Sequence, residues 1–141
     1  MDPLVLRLVV VVAVVAVATL AGWWWNHRSG RLRSGDDRRV DRAHLVAMGL
    51  DLSGATVGAV LVGSPTCAPC VVARRVLDRV QETRDGFRWV YADASEHLPF
   101  VRDHGILRVP TLLVVDRRGW IIARTSGVPR AHEIEGVLDA A

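Results

Sequence analysis

The chain has 141 residues, 50% of them apolar and 23% charged, and two cysteines. That is the length of one domain, too apolar for a wholly disordered chain and too poor in cysteine for a disulfide-built miniprotein or a four-thiolate zinc site. The net charge of +3 belongs to the amino-terminal part: seven Arg face four Asp from Met1 to His44, and eleven Arg face eleven acids from Leu45 to Ala141. The balanced remainder lacks the basic excess that phosphate binding needs, so nucleic acid is not an expected partner. All 18 basic residues are Arg, a usage that fits the codon bias of a GC-rich genome and has no separate physical reading.

Leu8 to Trp25 is 18 residues without a charge, and Leu4-Val5-Leu6 extend the run beyond Arg7. A spanning helix needs about 20 apolar residues, so residues 4–25 are read as one transmembrane helix. In lipid, a single segment satisfies its backbone only as a helix, whatever the weak helix propensity of Val in water. Trp23, Trp24 and Trp25 mark one membrane–water interface, and Arg7 snorkels at the other. The alternative is a cleaved secretory signal. Ala16-Val17-Ala18 offers only a weak cleavage site, and the apolar run continues past it. Six Arg between Arg28 and Arg42 follow the span, while only Arg7 and the terminal amine precede it, opposed by Asp2. The positive-inside rule then places the carboxyl side in the cytosol, with an extracytoplasmic domain as the alternative. Residues 26–40 are rich in Gly, Ser, Asp and Arg without apolar periodicity, and are read as a mobile linker. Their Arg cluster serves either as a topology determinant or as a contact for anionic headgroups.

Residues 41–141 carry the globular part. A short helix is expected over Asp41–Gly49, with Leu45, Val46 and Met48 apolar, and a turn-rich stretch over Asp51–Thr56. Val57–Gly63 (VGAVLVG) has the length and composition of a buried strand. After Ser64-Pro65-Thr66-Cys67-Ala68-Pro69-Cys70, an amphipathic helix places Val72, Ala73, Val76, Leu77 and Val80 on one face. Phe87–Asp93 reads as a second strand, and Glu96–His104 as a short helix shaped by Pro99 and ended by Gly105. Leu112–Asp116 and Trp120–Thr125 form a hairpin across Arg117-Arg118-Gly119, and Arg130–Asp139 is the closing helix, with Ile134, Val137 and Leu138 inward. The order β, α, β, α, β, β, α implies a mixed sheet with helices on both faces.

Both cysteines lie in one Cys-x-x-Cys between a strand and a helix. A helix amino terminus has unpaired N–H groups and partial positive charge, and both stabilise a thiolate. The leading cysteine, Cys67, is expected to be the exposed, activated one. Cys70, one turn on, is placed to resolve a mixed disulfide, and Pro69 suits the first turn. Taken alone the motif leaves half a metal site or two structural thiols as alternatives. No second cysteine pair and no His at ordinary zinc-ligand spacing accompanies it, and no metal is expected. The five His are scattered and are read as surface residues. Arg74 and Arg75 either favour the thiolate or simply form a solvated helix face.

From about Leu45 to Ala141 the chain resembles the thioredoxin family. The resemblance is carried, in order, by Cys67-Ala68-Pro69-Cys70 after a strand, Asp93 closing the next strand, Val109-Pro110-Thr111 opening the third, a hairpin turning at Gly119, Gly127 and a closing helix. It implies an α/β, thioredoxin-like three-layer fold, here preceded by the transmembrane helix. It implies a cis bond before Pro110, a proline that sits against the active-site disulfide, and a Val109 backbone that pairs with a substrate strand. Thr66 and Pro65 then shape the rim beside Cys67. The chain also departs from the family. Thr66 stands where Trp is usual and Ala68 where Gly is usual, while Leu61 and Trp89 stand where the family has a buried Asp and its Lys partner. The proton acceptor for the resolving thiol is therefore missing, and no nearby acid replaces it. Losing a buried negative charge eases thiolate formation at Cys67.

The function implied is that of a membrane-tethered thiol–disulfide oxidoreductase, a protein-disulfide reductase if its domain is cytosolic. Its partners would be a disulfide-containing protein substrate, an electron donor that resets the disulfide, and the membrane through residues 4–25. It requires no cofactor. A membrane-anchored interaction module with incidental cysteines, or a dedicated electron donor to one enzyme, are the competing readings.

Overall fold

The computed structural model describes residues 2–28 and 31–141, with only the backbone at Asn26, His27 and Arg28. Helix α1 spans Pro3–Arg28. Its stretch Pro3–Trp25, 23 residues, is long and apolar enough to cross a membrane, a test that a signal sequence also passes. At 1.5 Å per residue it measures about 34 Å, slightly more than a hydrocarbon core.

The domain that follows is built on a five-stranded mixed sheet in the order β1-β5-β4-β2-β3. The strands are β1 (Arg33–Ser34), β2 (Val57–Gly63), β3 (Phe87–Asp93), β4 (Thr111–Asp116) and β5 (Ile121–Ser126). The helices are α2 (Arg42–Ala47), α3 (Ala68–Thr83), α4 (Leu98–Asp103) and α5 (Ala131–Ala140). Strand β2 runs parallel to β3 and antiparallel to β4, and β4 and β5 form the expected hairpin. Gly119 turns that hairpin at φ +86°, a left-handed conformation that glycine adopts without Cβ strain.

Every residue of β2 is buried, and alternate side chains enter two cores. Val57, Ala59 and Leu61 pack with Ala73, Leu77 and Val80 of α3 and Ile134 of α5. Val60 and Val62 pack with Leu45 of α2 and Phe100 of α4. Helices therefore cover both faces, which makes the three layers.

Part of the expected linker is not a linker. Arg33 and Ser34 pair with Arg124 and Ala123 of β5, Arg39 bridges Trp120, and Val40 is fully buried. The physical reason is the free edge of β5, whose backbone groups recruit an extended segment whatever its side chains. Gly35 lies so close to the Ile121 carbonyl that a Cβ there would overlap it. Ser29 and Gly30, inside the same expected linker, lie outside the described residues. Two further readings shift. Val72 points outward, at 48% exposure, because the inward stripe of α3 is Cys70, Ala73, Leu77 and Val80. Val46 is 59% exposed because α2 turns Leu45 inward. His104 is buried instead of superficial, its ring 4.4 Å from that of Phe100 and its Nδ1 3.0 Å from the Phe100 carbonyl.

The edge strand has a measurable consequence. A fragment starting at residue 41 loses β1 and the buried Val40. Fully burying a Val contributes about 1.5–3 kcal/mol. In urea titration, a 31–141 fragment is therefore expected to exceed a 41–141 fragment by about 2 kcal/mol.

Candidate active site

Strand β2 ends at Gly63, and four residues later Cys67 caps α3. Cys67 has extended backbone (φ −85°, ψ 101°), and its sulfur accepts a hydrogen bond of 3.2 Å from the Cys70 N–H. This is the geometry of an N-cap, with sulfur in place of the usual oxygen. It aims an orphan amide and the positive end of the helix at Cys67 Sγ. Pro69 stands in the first turn, where its missing N–H has no partner to lose.

Cys67 and Cys70 form a disulfide, with their Cα atoms 5.3 Å apart. The two ends differ in access. Cys67 is half-buried, while Cys70 is only 2% exposed. An incoming group therefore reaches Cys67 first. Pro65, Thr66, Ala68 and Pro69 are exposed around it, and Val71 and Val72 add apolar surface at 50% and 48% exposure.

The Val109–Pro110 bond is cis. Pro110 is buried and its carbonyl accepts from the Gly127 N–H at 2.7 Å. Thr111 Oγ1 donates to the Arg108 carbonyl at 2.6 Å. These bonds hold the loop before β4 in place.

Beside the disulfide lies a cavity of about 290 Å³ lined by Ser64, Pro65, Cys67, Cys70, Val71, Arg74 and Tyr91. Thr66, Ala68, Pro69, Val109 and Pro110 are not among its walls. Sequence reasoning weighed Arg74 but passed over Tyr91. Tyr91 lies opposite Leu61 in the β2–β3 register. The guanidinium carbon of Arg74 sits 3.7 Å from the centre of the Tyr91 ring, within cation–π range. Arg74 is thus placed against the site, whereas Arg75 is exposed on the neighbouring face of α3. Strand alternation held the signal for Tyr91: residues 89, 91 and 93 share one face, the face that meets α3.

Asp93, at the end of β3, accepts from both the N–H (2.8 Å) and the hydroxyl (2.7 Å) of Ser95. Those bonds hold its carboxyl below the usual carboxylate range. Leu61 is fully buried and supplies no proton-accepting group. Among the described residues no group of three or more His, Cys, Asp or Glu gathers to hold a metal ion. A larger cleft of about 460 Å³ between β1, β5 and α5 contains Glu133 but no cysteine or histidine.

No protein-family model matches the chain, and no curated protein does. Solved structures do. The chain is similar to chloroplastic thioredoxin z, at 27% identity over 72% of this chain and 93% of that one, with a TM-score of 0.57. It is similar to a mutant thioredoxin from Halobacterium salinarum, at 17% identity over 71% and 84%, with a TM-score of 0.59. It is also similar to mitochondrial thioredoxin 3 from Saccharomyces cerevisiae, at 17% identity over 62% and 82%, with a TM-score of 0.53. These likenesses establish a thioredoxin-like fold for the domain.

Gly63 is the tight point of the site. A Cβ there would stand 2.6 Å from Tyr91 Cε2 and 3.0 Å from Cys70 Sγ. Gly63→Ala is expected to destabilise the oxidised domain by about 1–3 kcal/mol, the range for overpacking a filled site. Urea unfolding of the two proteins side by side measures it.

Proposed function

We propose that the protein is a membrane-tethered thiol–disulfide oxidoreductase that reduces protein disulfides. The observation that carries the reading is the asymmetric pair itself: a half-buried Cys67 that caps α3 and a buried Cys70 bonded to it. The thioredoxin-like fold around it supports the same chemistry.

In the reducing direction, the Cys67 thiolate attacks one sulfur of a substrate disulfide. A Cys67–substrate bond forms, the substrate disulfide breaks, and one substrate thiolate leaves. Cys70, as thiolate, then attacks Cys67 Sγ. The Cys67–Cys70 bond forms, the mixed disulfide breaks, and the second substrate thiolate leaves. Two electrons pass to the substrate, and its thiolates take protons from solvent. An electron donor, itself a dithiol, then resets the pair by the same two exchanges. The protein supplies the helix terminus that stabilises the Cys67 thiolate, and no cofactor takes part. Exposed Pro65, Thr66, Ala68, Pro69, Val71 and Val72 offer the surface for a protein substrate. The Val109 backbone, beside the cis-Pro110, is assigned to pair with an extended substrate segment.

Residues 4–25 are assigned as the anchor, and the Arg residues that follow support a cytosolic domain by the positive-inside rule. A cytosolic domain is kept reduced by the surrounding thiol pool, which favours reduction of substrates over their oxidation.

Two experiments test this. Cys70→Ser blocks the resolving attack, so substrates are expected to remain on Cys67 as adducts seen on non-reducing gels and released by dithiothreitol. Cys67→Ser should reduce turnover to the uncatalysed background. Binding that survives Cys67→Ser, with no adduct on Cys70→Ser, would instead identify an interaction module. For orientation, a membrane-impermeant thiol reagent on intact cells should leave Cys67 unlabelled until the membrane is opened. Labelling without opening places the domain outside.

A further inference from the structure

The Tyr91 hydroxyl is buried and has no protein hydrogen-bond partner in the disulfide form. A buried hydroxyl left unpaired is destabilising by about 1–3 kcal/mol. Its surroundings show where a partner can arise. The Tyr91 hydroxyl oxygen and Cys70 Sγ each lie 3.0 Å from the same point, the place a Cβ on Gly63 would occupy. The missing side chain at Gly63 is what lets the phenol ring lie over the end of β2 and reach the Cys70 side. Both residues also line the same cavity. Arg74, on α3 one turn beyond Cys70, lies against the ring and fixes its position.

We propose that the Tyr91 hydroxyl donates a hydrogen bond to the Cys70 thiolate and so prepares the resolving nucleophile. This rests on the exchange mechanism above. In the disulfide form the hydroxyl makes no hydrogen bond to Cys70 Sγ or to any other protein atom. A thiolate is a far stronger acceptor than a disulfide sulfur, so reduction is what supplies its partner. In the resolving step the Cys70 thiol loses its proton to solvent water. The thiolate accepts from the Tyr91 O–H and attacks Cys67 Sγ, and the substrate leaves as a thiolate that solvent reprotonates. The phenol keeps its own proton throughout. It therefore acts by stabilising and aiming the thiolate, not as the base.

The other groups near Cys70 do not compete for the role. From α3, Arg74 is a cation and adds to thiolate stability, and Cys67 is the electrophile. From β3, Asp93 is engaged by Ser95. From β2, Gly63 and the buried Leu61 are apolar, as is Leu112 of β4 opposite Leu61. Among the described residues no carboxylate lines the cavity.

Tyr91→Phe removes one oxygen and keeps the ring under Arg74. The test uses the full chain in detergent micelles, in the Cys67→Ser background, where Cys70 is the only thiol. Its thiolate is followed by ultraviolet absorbance against pH. Tyr91→Phe is expected to move the midpoint up by about one pH unit, a tenfold loss of thiolate at a fixed lower pH. With both cysteines intact and oxidised, the same substitution should leave the melting temperature unchanged or raise it, since it deletes an unpaired hydroxyl. A merely structural role would lower the melting temperature of both redox forms alike. Tyr91 is also the only tyrosine in the chain. Tyrosine labelled with carbon-13 at Cζ thus gives one signal without touching the site, and that signal should titrate together with Cys70. An unmoved Cys70 midpoint, or a Tyr91 signal indifferent to the Cys70 titration, overturns the proposal. Neither readout needs a substrate or turnover. The oxidoreductase reading can therefore fail through Cys67→Ser and Cys70→Ser while this assignment holds, and the reverse.

Discussion

Strand β2 carries the domain. It is hydrogen-bonded to β3 on one side and β4 on the other, and it feeds side chains into both cores. A strand buried on both faces has little freedom to slip, because a shift of one residue would exchange the two cores. The position of Gly63 is therefore fixed, and with it the start of the loop that leads to Cys67. The parallel pairing to β3 does the same for Tyr91, which the register sets opposite Leu61. Cys67, Cys70 and the phenol beside them thus inherit their places from one strand. The loop between β2 and α3 is tied at both ends: the Cys67 N–H donates to the Ser64 carbonyl at 3.2 Å, and the Ala94 N–H to the Gly63 carbonyl at 2.9 Å.

How far a sequence reveals such an arrangement depends on which physical term dominates at each residue. Val57–Gly63 and Phe87–Asp93 were legible to the residue, because burial of a short β-branched run between turn signals leaves few alternatives. The placement of Cys67 and Cys70 at the start of α3 was legible because the motif follows a buried strand and opens an amphipathic run. Arg33–Ser34 was not. An edge strand of two residues is held by backbone bonds to β5, and backbone bonds leave no mark on side-chain composition. Val72 misled for a related reason: it is apolar but out of phase with Cys70, Ala73, Leu77 and Val80. Phase, not composition, decides which side of a helix is covered.

Tyr91 lies between these cases. Its place on β3 was readable, yet its meaning was not, since nothing local says that α3 will bring Cys70 over that face. The juxtaposition rests on three separated choices that agree: glycine at 63, tyrosine at 91 and arginine at 74. Each is unremarkable alone. Together they fill the space above the end of β2 with a ring whose single polar atom is buried on the Cys70 side.

A neutral donor in that place behaves differently from a buried carboxylate. A carboxylate near a sulfur disfavours the thiolate by like charge, and its own ionisation is resisted by burial in both redox states. A phenol O–H donates a hydrogen bond without adding a fixed negative charge beside the sulfur. It interacts weakly with the disulfide and strongly with the thiolate, so its effect is confined to the state in which sulfur is charged. Leu61 completes that logic: with an aliphatic side chain fully buried opposite Tyr91, and no carboxylate lining the cavity among the described residues, no fixed negative charge opposes the anion on Cys70, and Arg74 supplies a positive one. The proton of Cys70 must then leave through water reaching the cavity and not through a resident base. The resolving step in this chain is therefore expected to be governed by thiolate stability at Cys70 more than by proton transfer from it.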